Sequence, residues 1–168
     1  MERMPTELDP ARLTAIIDTR EQAPLDLSPL HTIAGTLATG DYSVCGLEQV
    51  VAIERKSLPD LLACVGRERA RFDREVHRLA AYPVRALVIE STWPEIERGD
   101  WRGAVKPAAV LGSLVGWSAT GLPLFMAGDH ARAGKLVARL LYVTAKRRWR
   151  EARALVAAAL DGNGVAPK

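Results

Sequence analysis

The chain has 168 residues, 48% of them hydrophobic and 26% charged, with a formal net charge of +3. That length suits one domain with a real core, and that composition excludes a disordered or low-complexity chain. No apolar run approaches the ~20 residues of a membrane span and no leader-like pattern opens the sequence, so a soluble, cytoplasmic protein with no membrane partner is expected.

Residues 1–11 are polar, carry two prolines and read as a loose tail. Residues 12–160 read as a single domain, and Asp161 to Lys168 as a second tail. Leu13 to Ile17 is a short apolar strand ending at Asp18, and His31 to Ala38 alternates weakly as a second strand. Gly40-Asp41 is a turn signal, after which Tyr42–Cys45 and Gln49–Arg55 read as a hairpin across Gly46. Ser57-Leu58-Pro59-Asp60 marks a helix start, with Ser57 as N-cap and Asp60 in the first turn. That helix is expected to reach Ala63 before Gly66 interrupts it. A second spans Arg67 to Ala81 with Phe72, Val76 and Leu79 on one face. Ala86 to Ile89 is wholly apolar, the mark of a strand covered on both faces. A short helix over Pro94–Arg98, a helix from Pro107 to Thr120 stopped by Gly121, a strand over Leu122–Met126 and a long helix from His130 to Leu160 complete the chain. The order predicts an α/β fold, a mixed central sheet with helices on both faces.

The two cysteines, Cys45 and Cys64, have neither CxxC spacing nor histidines at zinc spacing. Both are expected to be buried apolar residues. Charge is concentrated at the end of the chain: Asp129 to Arg153 holds eight Lys or Arg against two acids. This is a modest signal for a polyanionic partner, with a solvated helix face as its plainer explanation.

Glu54-Arg55-Lys56 ends an otherwise apolar strand. Period-two alternation puts Glu54 and Lys56 on one face and Arg55 on the other with Val51 and Ile53. Burying such a triplet unpaired is costly, so it is expected at the mouth of the sheet, facing solvent or a ligand. Antiparallel pairing can bring the Asp41 carboxylate near Glu54, and a divalent cation relieves the repulsion of two such groups. Mg²⁺ or Mn²⁺, which prefer oxygen ligands, suit Asp41, Glu54 and the carbonyl of Arg55, with Lys56 beside them for a scissile phosphate. Asp18-Thr19-Arg20-Glu21 adds Asp18 and Glu21 as further acids, for a second metal or for the first through water, and Arg20 as a phosphate ligand.

These residues carry a resemblance. Gly40-Asp41 followed by Glu54-Arg55-Lys56-Ser57-Leu58-Pro59-Asp60 resembles the GD…ERKxxxD signature of the XPF-type structure-specific endonucleases. Asp18-Thr19-Arg20-Glu21 resembles that family's upstream element, and Arg71-Phe72 with Arg78-Leu79 its next basic-aromatic helix. The resemblance covers about Leu13 to Leu140. It implies a restriction-endonuclease-like fold of the PD-(D/E)xK type and Mg²⁺- or Mn²⁺-dependent cleavage of DNA, with preference for flaps, forks and other branched duplexes, usually by a dimer. Asp41 and Glu54 then correspond to metal ligands, Lys56 to the catalytic lysine, and Arg55 and Asp60 to the other signature positions. Family members usually carry a helix–hairpin–helix domain, for which little chain remains after the last strand. A partner supplying such a module, or the run Lys146-Arg147-Arg148-Trp149-Arg150 as a substitute surface, would fill that role.

Singly, each residue has a plainer reading: Asp41 a turn, Glu54 with Lys56 a surface ion pair, Asp60 a helix cap, Arg20 and Glu21 loop charges. Their joint order and spacing favours the nuclease site. Arg67 and Arg71 are candidate phosphate contacts, equally readable as a solvated face. Trp93, Trp101 and Trp117 are assigned to packing, and none of the three histidines stands out as a general base. The stripe Leu111, Leu114, Val115 with Trp117 reads as core or as a dimer face. Another PD-(D/E)xK nuclease, such as a junction resolvase or restriction-like enzyme, a non-catalytic DNA-binding subunit and a small-phosphoester hydrolase remain open alternatives.

Overall fold

Six strands form one mixed sheet in the order β2-β1-β3-β4-β5-β6. They are β1 (Thr14–Asp18), β2 (His31–Gly35), β3 (Tyr42–Val44), β4 (Val51–Ser57), β5 (Val84–Glu90) and β6 (Leu124–Met126). The computed structural model describes residues 6–160, so the outer part of the first expected tail and the whole of the second lie outside the described residues. Within the inner part of the first tail, Leu8 packs against the core, and its carbonyl accepts from the Tyr142 hydroxyl.

The central pairs set the geometry of the site. β3 runs antiparallel to both β1 and β4, while β4, β5 and β6 are mutually parallel. The last residues of β4 and β5 therefore open onto the same end of the sheet, where ligands of open α/β sheets collect. Pairing of β3 with β4 stops at Tyr42 opposite Ile53, so Glu54 to Ser57 extend past the hairpin.

Five helices cover the sheet: α1 (Leu58–Val65), α2 (Arg69–Leu79), α3 (Trp93–Arg98), α4 (Pro107–Ala119) and α5 (His130–Leu160). Strand alternation divides the core in two. Tyr42, Val44, Val51, Ile53 and Val88 face α5, whose small Ala133 and Gly134 allow close approach. A Cβ on Gly134 would stand 2.4 Å from the Asp26 carbonyl oxygen. On the other face Ala52, Leu87 and Ile89 meet α1, α2, α3 and α4 through Leu61, Phe72, Ile96 and Trp117. The α/β sheet with helices on both faces agrees with the sequence expectation.

Local differences have physical causes. β2 is shorter than expected because it is an edge strand whose side chains are mostly exposed, so little apolar pattern extends it. Cys45 is exposed rather than buried, because β3 ends at Val44 and the chain turns at Gly46. Trp93 is 41% exposed rather than packed. It opens α3, whose inward anchor is Ile96. Trp117 and Leu114 are core, whereas Val115 faces out.

Candidate active site

The cleft at the end of β4 begins with a backbone requirement. Gly40 has φ of +76°, and a Cβ there would meet the Ile53 carbonyl oxygen at 3.1 Å. Only glycine takes that conformation and approach without strain. It lets the Asp41 amide donate to Ile53 at 2.8 Å and turns the Asp41 carboxylate over the end of β4. Asp41 Oδ2 then accepts from the Arg55 amide at 2.8 Å. The amide and carbonyl of a strand residue share one edge, so the Arg55 carbonyl lies on the Asp41 side, beyond the last β3–β4 pair.

Glu54 and Lys56 project together toward α1 and α2, as alternation predicts. Lys56 Nζ donates to Glu54 Oε1 at 2.5 Å and sits 5.4 Å from the centre of the Phe72 ring. Of the two expected settings for the triplet, solvent or a ligand, the structure excludes open solvent: Glu54 is 6% and Arg55 8% exposed, and all three residues line the cleft. Burial is tolerated because each charge has a partner. Burial, then the Asp41 anion, pushes the Glu54 carboxyl up to about 7. Burial also raises Asp41. Burial works against the Lys56 ammonium, but the Glu54 carboxylate outweighs it and holds Lys56 charged above its ordinary range.

Arg55, on the opposite face of β4, binds Glu21 through Nε and Nη2 and Glu90 through Nη1, at 2.8 to 3.0 Å. Burial disfavours the Glu21 carboxylate, yet the Arg55 guanidinium holds it below the usual range. Glu21 is thereby committed to Arg55 and to the Tyr42 hydroxyl. Asp18 is equally committed. Its oxygens accept from Arg20 Nε and Nη2, the Arg20 amide and the Leu37 amide. Burial opposes that carboxylate, and these donors outweigh it and lower its pKa. The expectation that Asp18 adds a metal ligand beside Asp41 meets this obstacle: Asp18 faces Leu37 and does not line the cleft. Asp60 lines the cleft from the first turn of α1, where Ser57 is the cap: the Asp60 amide donates to Ser57 Oγ and its carboxylate accepts from that hydroxyl.

The cleft encloses about 540 Å³ and brings together Arg20, Glu21, Asp41, Glu54, Arg55, Lys56, Asp60 and Arg71. A second cavity of about 340 Å³ adjoins it beneath α2, lined by Lys56, Arg67, Arg71 and Phe72. Lys146, Arg147, Arg148 and Arg150 lie on the outer half of α5 and line neither. Among the charged cleft residues Glu75 and Glu90 escaped the sequence reading, and His130, set aside there as a general base, lines the cleft as well. Glu75 accepts from the Gly40 amide at 3.2 Å and pairs with Arg78. Its only sequence signal was an acid on a basic helix. Glu90 ends an apolar strand level with Ser57, the same pattern that marked Glu54.

Among the described residues no three His, Cys, Asp or Glu side chains come together as a metal cage. The donor set nevertheless suits a hard divalent cation. It is all oxygen, Asp41 and Glu54 with the Arg55 carbonyl on their side, and both carboxylates carry an ionisation cost that a cation would remove.

A glycine-supported turn carrying an acid, followed by a strand ending in Glu and Lys on a mixed six-stranded sheet, defines a restriction-endonuclease-like α/β domain. The family profile of the ERCC4 domain matches residues 17–140, and the chain belongs to that family. The chain is similar in structure to XPF from Aeropyrum pernix in complex with DNA, at 20% identity and a TM-score of 0.65, covering 81% of this chain and 66% of that one. It is likewise similar to XPF from Aeropyrum pernix, at 19% identity and a TM-score of 0.63, covering 90% of this chain and 75% of that one. This chain thus spans about two thirds to three quarters of those proteins. No curated protein matches it. Among the described residues no helix is long and apolar enough to cross a membrane.

Proposed function

We propose that this protein is a metal-dependent endonuclease that hydrolyses DNA phosphodiester bonds at branched, flap or fork structures. The observation that carries the reading is the pair of carboxylates, half-buried Asp41 and buried Glu54, whose ionisation is disfavoured and beside which Lys56 is held charged. A stable fold retains such an arrangement at a cost, and perturbed pairs of this kind cluster at functional sites. Mg²⁺ or Mn²⁺ held by Asp41, Glu54 and the Arg55 carbonyl would lower the pKa of a bound water and neutralise charge on the phosphate.

The chain's own residues do the rest. Lys56, anchored by Glu54 and Phe72, places its ammonium where the phosphate gains charge. The Asp41 carboxylate is fixed by the Arg55 amide, so little reorganisation is needed on binding. Arg55 holds Glu21 and Glu90 in place and thereby stiffens the end of β4. Asp60 fixes the start of α1 beside the cleft. Arg20, 67% exposed at its side chain, and Arg71, at 77%, are free to reach backbone phosphates while keeping their carboxylate partners. Arg67 extends the same rim. Lys146, Arg147, Arg148 and Arg150 form a separate exposed stretch that would meet duplex farther from the cut.

DNA as the ligand is supported by family membership and by the Aeropyrum pernix XPF complex with DNA. A homodimer is supported by an apolar groove of about 500 Å³ lined by Trp93, Leu114, Val115 and Leu124. A separate helix–hairpin–helix partner is the other route to duplex binding.

Cleavage of end-labelled flap, fork, plain duplex and single-stranded DNA in Mg²⁺ and in Mn²⁺ tests the proposal. Cleavage near the branch is expected, with plain duplex cut at least about tenfold more slowly, a difference of about 1.4 kcal/mol in the barrier. Preference for four-way junctions or for a sequence would assign the chain to a junction resolvase or restriction-like activity. Tight DNA binding with no cleavage in either metal would make it a DNA-binding subunit and overturn the enzyme.

A further inference from the structure

The wall of the cleft formed by the end of β5 and the start of α5 has no assigned role. It carries His130, the first residue of α5. Its Nδ1 lies 2.7 Å from Glu90 Oε1. The same carboxylate oxygen accepts from Arg55 Nη1 at 2.9 Å, and Arg55 in turn grips Glu21. A continuous chain of side chains, Glu21–Arg55–Glu90–His130, therefore runs along the cleft. Three of its members are nearly buried and one, His130, is 47% exposed at its side chain.

An ordinary surface histidine rotates freely. This one is fixed through a carboxylate that is itself fixed by a buried guanidinium. Glu90 stands level with Ser57 across the β4–β5 ladder, one step beyond the pair Lys56 and Ile89. His130 is thus anchored at the same level of the sheet as the reacting residues. Its Nε2 has no protein partner among the described residues. Among the other cations of the cleft, Arg55 is taken up by Glu21 and Glu90, while Arg20, Lys56 and Arg71 each keep one carboxylate partner and have donors to spare.

We propose that His130 is a substrate-contact residue, presenting Nε2 to one backbone phosphate of the DNA while Glu90 holds its Nδ1. Donation from both ring nitrogens, Nδ1 to Glu90 and Nε2 to a phosphate oxygen, uses the doubly protonated ring, in which each nitrogen carries a hydrogen. The resulting bond is charge-assisted, and the ring's fixed orientation lowers the ordering cost of making it. Contacts of this kind set the register of the duplex relative to the reacting groups. His130 thereby helps decide which phosphate reaches Lys56. The inference rests on the cleft being a DNA-cleaving site.

The test is binding, measured by fluorescence anisotropy in Ca²⁺, of a flap DNA carrying a single neutral methylphosphonate placed in turn at each position around the branch. Wild type is expected to lose about tenfold in affinity when the contacted phosphate is neutralised, the usual effect of one charge-assisted hydrogen bond. His130→Ala and His130→Gln should bind unmodified DNA about tenfold more weakly and become insensitive at that position alone, while keeping the wild-type pattern elsewhere. Thermal melts identical to wild type would show that the fold is intact. A methylphosphonate pattern unchanged in both variants would overturn the role of His130 and leave the nuclease reading standing. Absence of DNA binding by wild type would overturn both.

Discussion

Replacing the half-buried Asp41 with Asn removes one of two mutually repelling carboxylates and keeps the oxygen that accepts from the Arg55 amide. The magnitude follows from Glu54. Moving its carboxyl from 4.5 to about 7 corresponds to about 3 kcal/mol of ionisation cost, at about 1.4 kcal/mol per pH unit. Burial is the larger cause and Asp41 the next, so relief of the Asp41 repulsion is worth about 1 kcal/mol. The ionisation cost of Asp41 itself is removed as well, so the Asn variant should gain at least that ~1 kcal/mol, or about 2–4 °C in Tm for a domain of this size. Both carboxylates titrate above their unfolded values of 3.8 and 4.5. The unfolded chain therefore sheds protons first as pH rises. Wild type loses stability from about pH 4 upward until the pair is ionised, and below that range the cost is absent. Lys56 stays protonated throughout this window and does not change the sign. Thermal unfolding without divalent metal should show the Asn variant more stable at pH 8, with the advantage shrinking toward pH 5, and inactive at every pH. An Asn variant no more stable than wild type at pH 8, or one whose advantage is the same at pH 5, would refute the electrostatic argument.

At limiting Mn²⁺, cleavage should fall as pH drops through about 7, because Glu54 takes up a proton there and competes with the cation; raising Mn²⁺ should move the midpoint lower, and a midpoint indifferent to Mn²⁺ would count against this. Lys56→Met should lower kcat about 10²–10³-fold in single-turnover cleavage with KM little changed, the loss typical of one group that stabilises transition-state charge. Arg55→Met strands Glu21 and Glu90 without their cation and should cost about 3–5 kcal/mol in chemical denaturation. Gly40→Ala, forced into a positive φ against the Ile53 carbonyl, should destabilise by about 1–3 kcal/mol and reduce cleavage beyond what the lower stability explains, as the Asp41 turn shifts.

The sheet was legible because its strands are unusually apolar, and the parity of β4 alone separated Glu54 and Lys56 from Arg55. Element ends were less legible where burial and pattern part company, as at the exposed edge strand β2 and at Cys45, just past the end of β3. Bringing Asp41 over Glu54 depended on where β3–β4 pairing stops, which the Gly40 conformation settles and the sequence only hinted at. The fates of Asp18 and Glu21 were not legible. Acids at the end of a neighbouring strand look like ligands, and only the tertiary positions of Leu37 and Arg55 reveal that their oxygens already have partners. Glu75 and Glu90 were missed, and His130 set aside, for the converse reason: each lies on a separate element that only the tertiary fold brings to the cleft.

The proposed function requires that Asp41 and Glu54 together take a divalent cation and that DNA cleavage depends on it. A Mn²⁺ titration of wild type and Glu54→Gln, followed in parallel by calorimetry and by single-turnover cleavage of flap DNA, tests this directly. Wild type should bind Mn²⁺ and cut over the same concentration range, while a folded Glu54→Gln does neither. Cleavage that survives in Glu54→Gln, or that proceeds in wild type with chelator present, would contradict the account.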